Sequence, residues 1–252
     1  MERLHALDLH IHAGEFVAVV GEVGSGKSLL VLSLMGETGA KFEEFKIGSV
    51  DALTLDLNER RKYFAFVPQE GFVMSASLRE NIAFQYDVPR AQDADIVHSL
   101  DLAQFNLRGE AVRDGLETEI GERGVNLSGG QRQRVSLARA HYFDRPIILL
   151  DDCLSAVDVD TENRLVTELI DGAWKKKTRI LVTHRLSVLH EVDRVIFLEN
   201  GAIVDSGKFS DLLERSAKVR QFVASVKRSE SAQEMETSPV KGGAKDEKIN
   251  VR

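Results

Sequence analysis

A glycine-rich octapeptide that directly follows a short apolar run constrains this 252-residue chain more than any other feature. The run at residues 16–20 is continuous and rich in valine, which predicts a strand buried on both faces. It leads into residues 21–28, with the sequence GEVGSGKS, and then into a helical pattern. Strand, loop and helix in this order are the context in which a G-x-x-x-x-G-K-[ST] loop cradles phosphate groups.

This octapeptide has the residue types that hold a triphosphate and its metal ion. Its glycines let backbone N–H groups wrap around the phosphates, and the N-terminus of the following helix adds positive potential. Lys27 is expected to reach the β- and γ-phosphates, and Ser28 to ligate Mg²⁺. The expected phosphate-binding residues are Gly21, Glu22, Val23, Gly24, Ser25, Gly26, Lys27 and Ser28.

A second apolar run ends in two consecutive carboxylates. Residues 147–150 (IILL) predict a buried strand, and Asp151 and Asp152 follow it directly. A strand that delivers a carboxylate to its polar end can hold Mg²⁺, which assigns Asp151 to the metal site. An aspartate that only caps the next helix is the alternative interpretation.

Strand and helix patterns alternate along the chain. This alternation predicts an α/β fold with a largely parallel sheet, in which functional residues follow the carboxyl ends of the strands. Asn200-Gly201, between two short apolar runs, predicts an antiparallel hairpin. The further predicted elements are strands 179–183 and 195–198 and helices 28–35, 131–143 and 209–214.

The charge balance and the cysteine content exclude several classes of function. A net charge of −7 requires no strongly basic face, which argues against a general nucleic-acid binder. The single cysteine, Cys153, excludes an internal disulfide and a cysteine-based metal cluster, and it fits a reducing compartment. No apolar run approaches the ~20 residues that cross a bilayer, so a membrane role requires a partner.

A second glycine run, residues 127–131 (LSGGQ), precedes a helical pattern rich in arginine. A serine hydroxyl and glycine N–H groups at a helix start form a second anion site, and the same residues also suit a plain helix cap. Together with the phosphate loop and the carboxylate strand, this run resembles the signature motif of ATP-binding-cassette (ABC) proteins. The residues that this resemblance adds to the ATP-binding set are Ser128, Gly129, Gly130 and Gln131.

Three further motifs of the ABC family are present in this chain, in the order in which the family has them. Gln69 resembles the glutamine of the Q-loop, which senses Mg²⁺ and the transport partner. Residues 155–158 (SAVD) resemble the D-loop, which adds Asp158 to the ATP-binding set. His184 resembles the switch histidine, although a histidine after a strand is otherwise more often structural. The resemblance implies catalytic roles for Asp152, His184 and Gln69 and metal ligation by Ser28, Gln69 and Asp151.

The resemblance also implies the architecture. It predicts a P-loop NTPase (RecA-like) core with a mostly parallel sheet, an antiparallel β portion and an α-helical subdomain. The nucleotide-binding domain is expected to span residues 1–226, with the helical subdomain and the signature helix at about 72–141. Residues 227–252 lack aromatic and leucine side chains and carry mixed charges, which predicts a disordered tail.

The resemblance implies that two nucleotide-binding domains dimerise head to tail, with each ATP between the phosphate loop of one and the signature of the other. The expected partners are a second such domain, identical or different, and the transmembrane domains of an exporter. Residues 118–124 resemble the exporter X-loop, and residues 125–140 and 149–158 resemble the first nucleotide-binding domain of the multidrug-resistance-protein subfamily. Phe72 and Val73 are candidates for the groove that receives a coupling helix of the transmembrane partner, and simple packing is the alternative. The expected location is the cytoplasmic face of the membrane, through these partners.

Asp152 departs from the family pattern, because most active members have glutamate at this position. The shorter side chain holds the carboxylate back by about 1.5 Å, and a misplacement of about 1 Å can cost roughly a hundredfold in rate. We therefore expect tight ATP binding but slow hydrolysis at this chain's own site. One alternative is that Asp152 supports hydrolysis adequately through an extra water molecule or a shift of the backbone. Another is a non-hydrolytic regulatory module that ATP gates.

The family usually stacks an aromatic residue on adenine upstream of the phosphate loop. No Phe, Tyr or Trp precedes Phe16 in this chain, and Phe16 belongs to the predicted strand. We expect the stacking to be lost or supplied by another residue, with a lower ATP affinity of the isolated domain.

Overall fold

The centre of the molecule is a six-stranded, mostly parallel sheet. The computed structural model describes residues 4–121 and 125–237. The strands in these residues are β1 (Phe16–Val20), β2 (Lys46–Ile47), β3 (Val50–Asp51), β4 (Phe64–Val67), β5 (Ala76–Ser77), β6 (Glu119–Ile120), β7 (Ile147–Asp151), β8 (Thr178–Val182), β9 (Arg194–Glu199) and β10 (Ala202–Gly207).

Helices cover both faces of this sheet. They are α1 (Lys27–Met35), α2 (Leu57–Arg61), α3 (Leu78–Ala83), α4 (Asp93–Leu102), α5 (Gly129–Tyr142), α6 (Val159–Arg164), α7 (Phe209–Arg215) and α8 (Ala217–Thr237). α6 continues as a π-helix over Leu165–Ala173. Short 3₁₀ turns lie at Arg90–Gln92, Glu110–Val112, Gly115–Glu117 and Ser187–His190.

The sheet has the strand order β10-β9-β1-β8-β7-β4. Neighbouring strands from β9 to β4 pair in parallel, and β10 pairs antiparallel with β9. The predicted α/β fold with a mostly parallel sheet is confirmed, and so is the hairpin at Asn200 and Gly201. The strands and helices predicted from the sequence are present, with bounds that differ by at most two residues.

Two apolar layers cover the sheet, which explains why its strands are continuous apolar runs. On one face, Val19 of β1 packs with Leu30 and Val31 of α1. On the other face, Ala18 and Val20 lie in a cluster with residues of α7 and α8. Because β1 is buried along its whole length, it holds the loop that follows it in a fixed position.

The helices between β4 and β7 share a core with the sheet. Leu78 of α3, Ile96 of α4 and Leu137 of α5 belong to the same apolar cluster as Ile148 and Leu150 of β7. The signature helix α5 therefore shares its apolar core with the strand that leads into the carboxylate pair. The bounds of a helical subdomain at 72–141 remain a prediction.

Four neighbouring parallel strands, β1, β8, β7 and β4, end at the same edge of the sheet. Residues 21–28 follow β1, and Gln69 lies two residues past β4. Asp151 is the last residue of β7 and Asp152 the next, while His184 lies two residues past β8. The sheet thus brings predicted site residues from distant parts of the chain to one edge.

The C-terminal helix extends into the stretch for which the sequence predicts disorder. α8 ends at Thr237, so residues 227–237 are helical. They are mostly Glu, Gln, Lys, Arg, Ala and Met, which have high helix propensity, and the helix is anchored in the core by Val219 and Phe222. Residues 238–252 of the predicted tail lie outside the described residues.

Candidate functional site

The phosphate loop turns sharply where β1 ends. Gly21 has a φ of 152°, and a Cβ there would lie 2.1 Å from the carbonyl oxygen of Leu198. Only glycine fits, because the loop passes directly over the end of β9. α1 begins at Lys27, which gives the loop the N-terminus of a nine-residue helix. An anion in this loop meets both backbone N–H groups and the positive end of the helix dipole.

The ammonium group of Lys27 is folded into this loop and is buried. Its Nζ donates to the carbonyl oxygens of Gly21 at 2.9 Å and Glu22 at 2.7 Å, and it lies 3.4 Å from the hydroxyl of Ser25. This places a positive charge beside the backbone groups that would wrap a phosphate. The role of Lys27 at the β- and γ-phosphates stays a prediction, which this geometry supports.

Ser28 and Asp151 form a hydroxyl–carboxylate pair. The Ser28 Oγ donates to Asp151 Oδ1 at 2.9 Å, which joins the start of α1 to the end of β7. Both are oxygen ligands of the kind that Mg²⁺ prefers, and Mg²⁺ usually takes its remaining ligands from water and substrate phosphates. The pair therefore fits a Mg²⁺ ion. The alternative that Asp151 caps the next helix is wrong, because Asp158 caps α6.

Asp152 lies on a strained backbone beside Asp151. Its φ is 45°, in the left-handed region that Asp and Asn tolerate better than most residues. Its N–H donates to the carbonyl oxygen of Val182 at 2.9 Å. Burial, followed by the negative charge of Asp151, raises the pKa of Asp152 to about 6, and the charges of Lys27 and Arg185 oppose that shift. At neutral pH this carboxylate is ionised, but at a cost in folding free energy.

The raised pKa of Asp152 predicts a stability effect in the metal- and nucleotide-free protein. Because the folded state favours the neutral carboxyl, stability is lost as the pH rises from 3.8 through about 6. Asp152→Asn removes the charge and suits the same φ, so its Tm should exceed the wild-type Tm at a pH of about 7.5 and not at about pH 4. Thermal melts in EDTA measure this, with the exposed Asp160→Asn as the matched control. An equal Tm difference at both pH values contradicts it.

Gln69 and His184 flank the carboxylate pair. The Gln69 Nε2 lies 3.5 Å from Asp152 Oδ2, a long hydrogen bond. Burial, followed by the positive charge of Lys27, lowers the pKa of the His184 imidazole. A neutral imidazole can donate one hydrogen bond and accept another. The ring of Phe222 in α8 lies 6.4 Å from that of His184 between centroids, so the histidine also packs beside the core.

The second glycine run starts α5. The Ser128 Oγ accepts from the N–H of Gln131 at 3.2 Å, and the Gln131 Oε1 accepts from the N–H of Ser128 at 2.8 Å. The sequence leaves both a helix cap and an anion site open, and the structure contains the cap. Ser128 and Gly129 are exposed. The N-terminus of this 14-residue helix is therefore accessible to an anion from outside the chain.

The D-loop (residues 155–158) lies beside the signature residues. A Cβ at Gly130 would lie 3.0 Å from the carbonyl oxygen of Ala156. Asp158 accepts from the N–H of Thr161 at 3.0 Å and so begins α6. Because Ser128 and most of the D-loop are exposed, the two motifs form one accessible face.

Two residues that the motifs leave unassigned tie the Q-loop (residues 68–71) to α5. Gln133 is 1% exposed, and its Nε2 donates to the carbonyl oxygen of Pro68 at 2.9 Å. A Cβ at Gly71 would lie 2.4 Å from the carbonyl carbon of Arg132, so glycine is required for this close approach. A polar residue on the buried face of a helix is the sequence signal that marks Gln133.

The stretch that resembles the exporter X-loop is described only in part. Glu119–Ile120 forms β6, which pairs antiparallel with β5, and residues 122–124 lie outside the described residues. None of the helices in the described ranges combines the length and the apolar composition that a membrane span needs. In the same part of the chain, no group of three or more His, Cys, Asp and Glu side chains is arranged to hold a metal ion.

Comparison with known proteins decides the family. The model of the ABC transporter family matches residues 4–155, which is more than half of the chain. The chain belongs to the ABC transporter family. The matched residues contain the phosphate loop, Gln69, the signature run and the carboxylate pair, whereas His184 lies beyond them.

Three relatives of this ABC domain are a multidrug resistance protein, a member of ATP-binding cassette sub-family C and a lipid A-core flippase. It is 42% identical over 214 residues to the multidrug resistance protein of Leishmania tarentolae, which covers 83% of this chain and 12% of that protein. It is 40% identical over 223 residues to the ATP-binding cassette sub-family C member 3 of Rattus norvegicus, and the match covers 87% of this chain and 14% of that protein. It is 38% identical over 218 residues to the ATP-dependent lipid A-core flippase of Ralstonia nicotianae, and the match covers 84% of this chain and 36% of that protein.

A solved structure of a bacterial Atm1-family ABC exporter with ATP bound shares the fold. The TM-score is 0.78 at 31% identity, covering 88% of this chain and 39% of that one. The chain thus spans between 12% and 39% of the lengths of these proteins. These similarities confirm the P-loop NTPase fold and an exporter-type nucleotide-binding domain that resembles the multidrug-resistance subfamily.

Proposed function

We propose that this ABC domain binds MgATP, dimerises head to tail with a second nucleotide-binding domain and drives export through transmembrane partners. The observation that carries the proposal is the convergence of four adjacent strand ends, which brings residues 21–28, Gln69, Asp151 and His184 to one edge. The domain acts at the cytoplasmic face of a membrane, where its partners hold it, and it does not bind nucleic acid.

In this proposal the chain first binds and orients the triphosphate. Residues 21–28 supply backbone N–H donors, and Lys27 offsets negative charge at the β- and γ-phosphates. Ser28 and Asp151 hold Mg²⁺ with help from Gln69. When bound, this ion neutralises charge that develops on the phosphate oxygens.

Asp152 and His184 act on the γ-phosphate. The Asp152 carboxylate is ionised above a pH of about 6, so it accepts a hydrogen bond from a water molecule and orients that water for attack. The neutral His184 imidazole donates to a γ-phosphate oxygen and stabilises the charge that grows there. Since Asp152 is one methylene shorter than glutamate, hydrolysis at this site is slow.

The phosphate loop and the face formed by the signature and the D-loop both carry exposed residues, which supports the head-to-tail dimer. Val23 in the phosphate loop is 92% exposed, and Val159, which follows the D-loop, is 63% exposed. Both side chains lie beside motifs that the proposed partner would cover, and their burial there would stabilise the dimer. In the dimer, Ser128 and its helix N-terminus close over the ATP of the partner. The partner supplies the same groups to the ATP held by residues 21–28.

Phe72 marks the surface proposed for the transmembrane partner. It is 53% exposed and lies edge-on to the exposed ring of Phe84. The Arg139 guanidinium lies 4.7 Å from the centroid of Phe84 and donates to the carbonyl oxygens of Asn81 at 2.9 Å and Phe72 at 3.2 Å. Val73, the second candidate, packs partly buried against the core. The aromatic pair and its cation therefore offer a better docking surface than Phe72 and Val73 together.

The rival function, a non-hydrolytic module that ATP gates, rests on Asp152 alone. Lys27, Gln69 and His184 weigh against it, because all three residue types of a hydrolytic site are retained and lie at or beside the same sheet edge. Both functions need ATP binding, and they differ only in whether phosphate is released. A single-turnover measurement of phosphate release with the dimeric protein separates them.

Lys27→Met tests the ATP site itself. Charge-assisted hydrogen bonds contribute about 1.5–3 kcal/mol, so their loss should weaken MgATP binding by about tenfold or more. Calorimetric titration measures the change, with the exposed Lys176→Met as the matched control. Equal affinities of Lys27→Met and Lys176→Met would refute the proposed site.

A further inference from the structure

Arg185 directly follows His184 and reaches across to the D-loop. Its Nη2 donates to the carbonyl oxygens of Val157 at 3.1 Å and Ser155 at 3.4 Å. Its backbone N–H donates to Thr183 Oγ1 at 3.0 Å, which turns the chain just past β8. One side chain therefore joins the segment that carries the switch histidine to the D-loop.

The same guanidinium pairs with a buried carboxylate on α6. Arg185 Nη1 lies 2.6 Å from Glu162 Oε2, and the Glu162 side chain is 3% exposed. The Ser187 Oγ donates to the other oxygen, Glu162 Oε1, at 2.6 Å. A buried carboxylate is tolerated only when it is paired and hydrogen-bonded. Glu162 therefore fixes the guanidinium in place, with Nη2 directed at the D-loop.

The hydrogen bonds from Arg185 differ from those that the D-loop makes with its own neighbours along the chain. Ser155 donates from its N–H at 3.3 Å and from its Oγ at 2.8 Å to the carbonyl oxygen of Asp152. Val157 donates its N–H to the carbonyl oxygen of Leu154 at 3.3 Å. These contacts are local and would move with the loop, whereas Arg185 ties the loop to the end of a different strand.

We propose that Arg185 is a positioning residue that holds the D-loop in register with the His184 segment. A D-loop displaced by the partner domain then moves the residues at the γ-phosphate with it. This inference rests on the proposed function, from which it takes hydrolysis and the head-to-tail dimer. Arginine suits the role because its planar fork donates in two directions at fixed geometry, which a lysine ammonium does not.

A charge-balanced double variant separates positioning from stability. Arg185→Met alone leaves Glu162 buried without its cation, so its Tm should fall. Adding Glu162→Gln removes the buried charge, and the amide oxygen still accepts from Ser187, so the Tm should recover. The two hydrogen bonds to the D-loop do not recover. Arg164→Met, at an exposed arginine on α6, is the matched control.

Two measurements on the full chain test whether Arg185 positions the D-loop. Hydrogen–deuterium exchange of residues 153–161 should be about threefold faster or more in the double variant, with residues 21–28 unchanged. The kcat for ATP in the dimer should fall about tenfold to a hundredfold at constant KM. Arg164→Met should change neither.

D-loop exchange equal to that of wild type, or a kcat that recovers together with the Tm, would overturn the positioning role. If the wild-type protein releases no phosphate at all, the proposed function fails. The exchange rates, which need no hydrolysis, then decide on Arg185 by themselves.

Discussion

Asp152→Glu is expected to hydrolyse ATP about 10- to 100-fold faster than wild type. The added methylene advances the carboxylate by about 1.5 Å, toward the position from which it can orient the attacking water. Lys27 and Ser28, which we propose to hold the phosphates and Mg²⁺, are unchanged. Because the gained interaction forms mainly in the transition state, kcat should rise while KM stays within about twofold.

The same variant is expected to be less stable. Asp152 has a φ of 45°, and a short polar side chain tolerates this region because it hydrogen-bonds locally, whereas glutamate gains less from such bonds. The expected cost is about 1 kcal/mol, seen as a lower Tm without nucleotide. Faster turnover at lower stability is the pattern expected when a side chain is placed for chemistry on a strained backbone.

Phosphate release and thermal melts of the same dimeric preparations test both parts. Asp160→Glu makes the same extension at an exposed position and should change neither. If Asp152→Glu gives no gain in kcat, the slow-site hypothesis is wrong and Asp152 is already adequate. If neither protein releases phosphate, the rival ATP-gated module is favoured.

The sheet edge that holds the candidate site is predictable because each of its parts lies at a strand end. The runs before Gly21 and Asp151 and before Thr183-His184 are short, apolar and β-rich, so their ends can be located within one or two residues. Parallel strands bring their carboxyl ends to one edge of the sheet, whatever the order of the strands within it. The strand order itself does not follow from the sequence.

Contacts to backbone carbonyl oxygens are not predictable in this way. Arg185 and Gln133 donate to carbonyl oxygens of the D-loop and of Pro68. The helical pattern can mark Gln133 as a buried polar residue, but a backbone acceptor leaves no mark in the residue types around it, so the partner of either side chain is not predictable. The length of α8 also depends on distant packing. Val219 and Phe222 anchor its start in the core, and helix propensity then extends it through a polar stretch whose composition alone predicts disorder.

Mixing two inactive variants should restore ATP hydrolysis if the sites form between chains. Lys27→Met removes the charge of the phosphate loop. Ser128→Arg puts a bulky side chain at the exposed start of α5 and removes its cap. When two copies of one variant pair, both sites are damaged, so each variant alone should retain roughly a tenth of wild-type activity or less.

A mixed dimer carries both substitutions in one site and neither in the other, if each site combines the phosphate loop of one chain with the signature of its partner. Random pairing makes about half of the dimers mixed, so a 1:1 mixture should show about a quarter of wild-type activity when the sites work independently. Ser128→Thr, which keeps the capping hydroxyl, is the matched control and should stay active by itself. If each chain built its site from its own two glycine runs, every site in the mixture would be damaged and the mixture would stay inactive. Phosphate release from the mixture therefore reports whether Ser128 serves the nucleotide of its own chain or that of the partner.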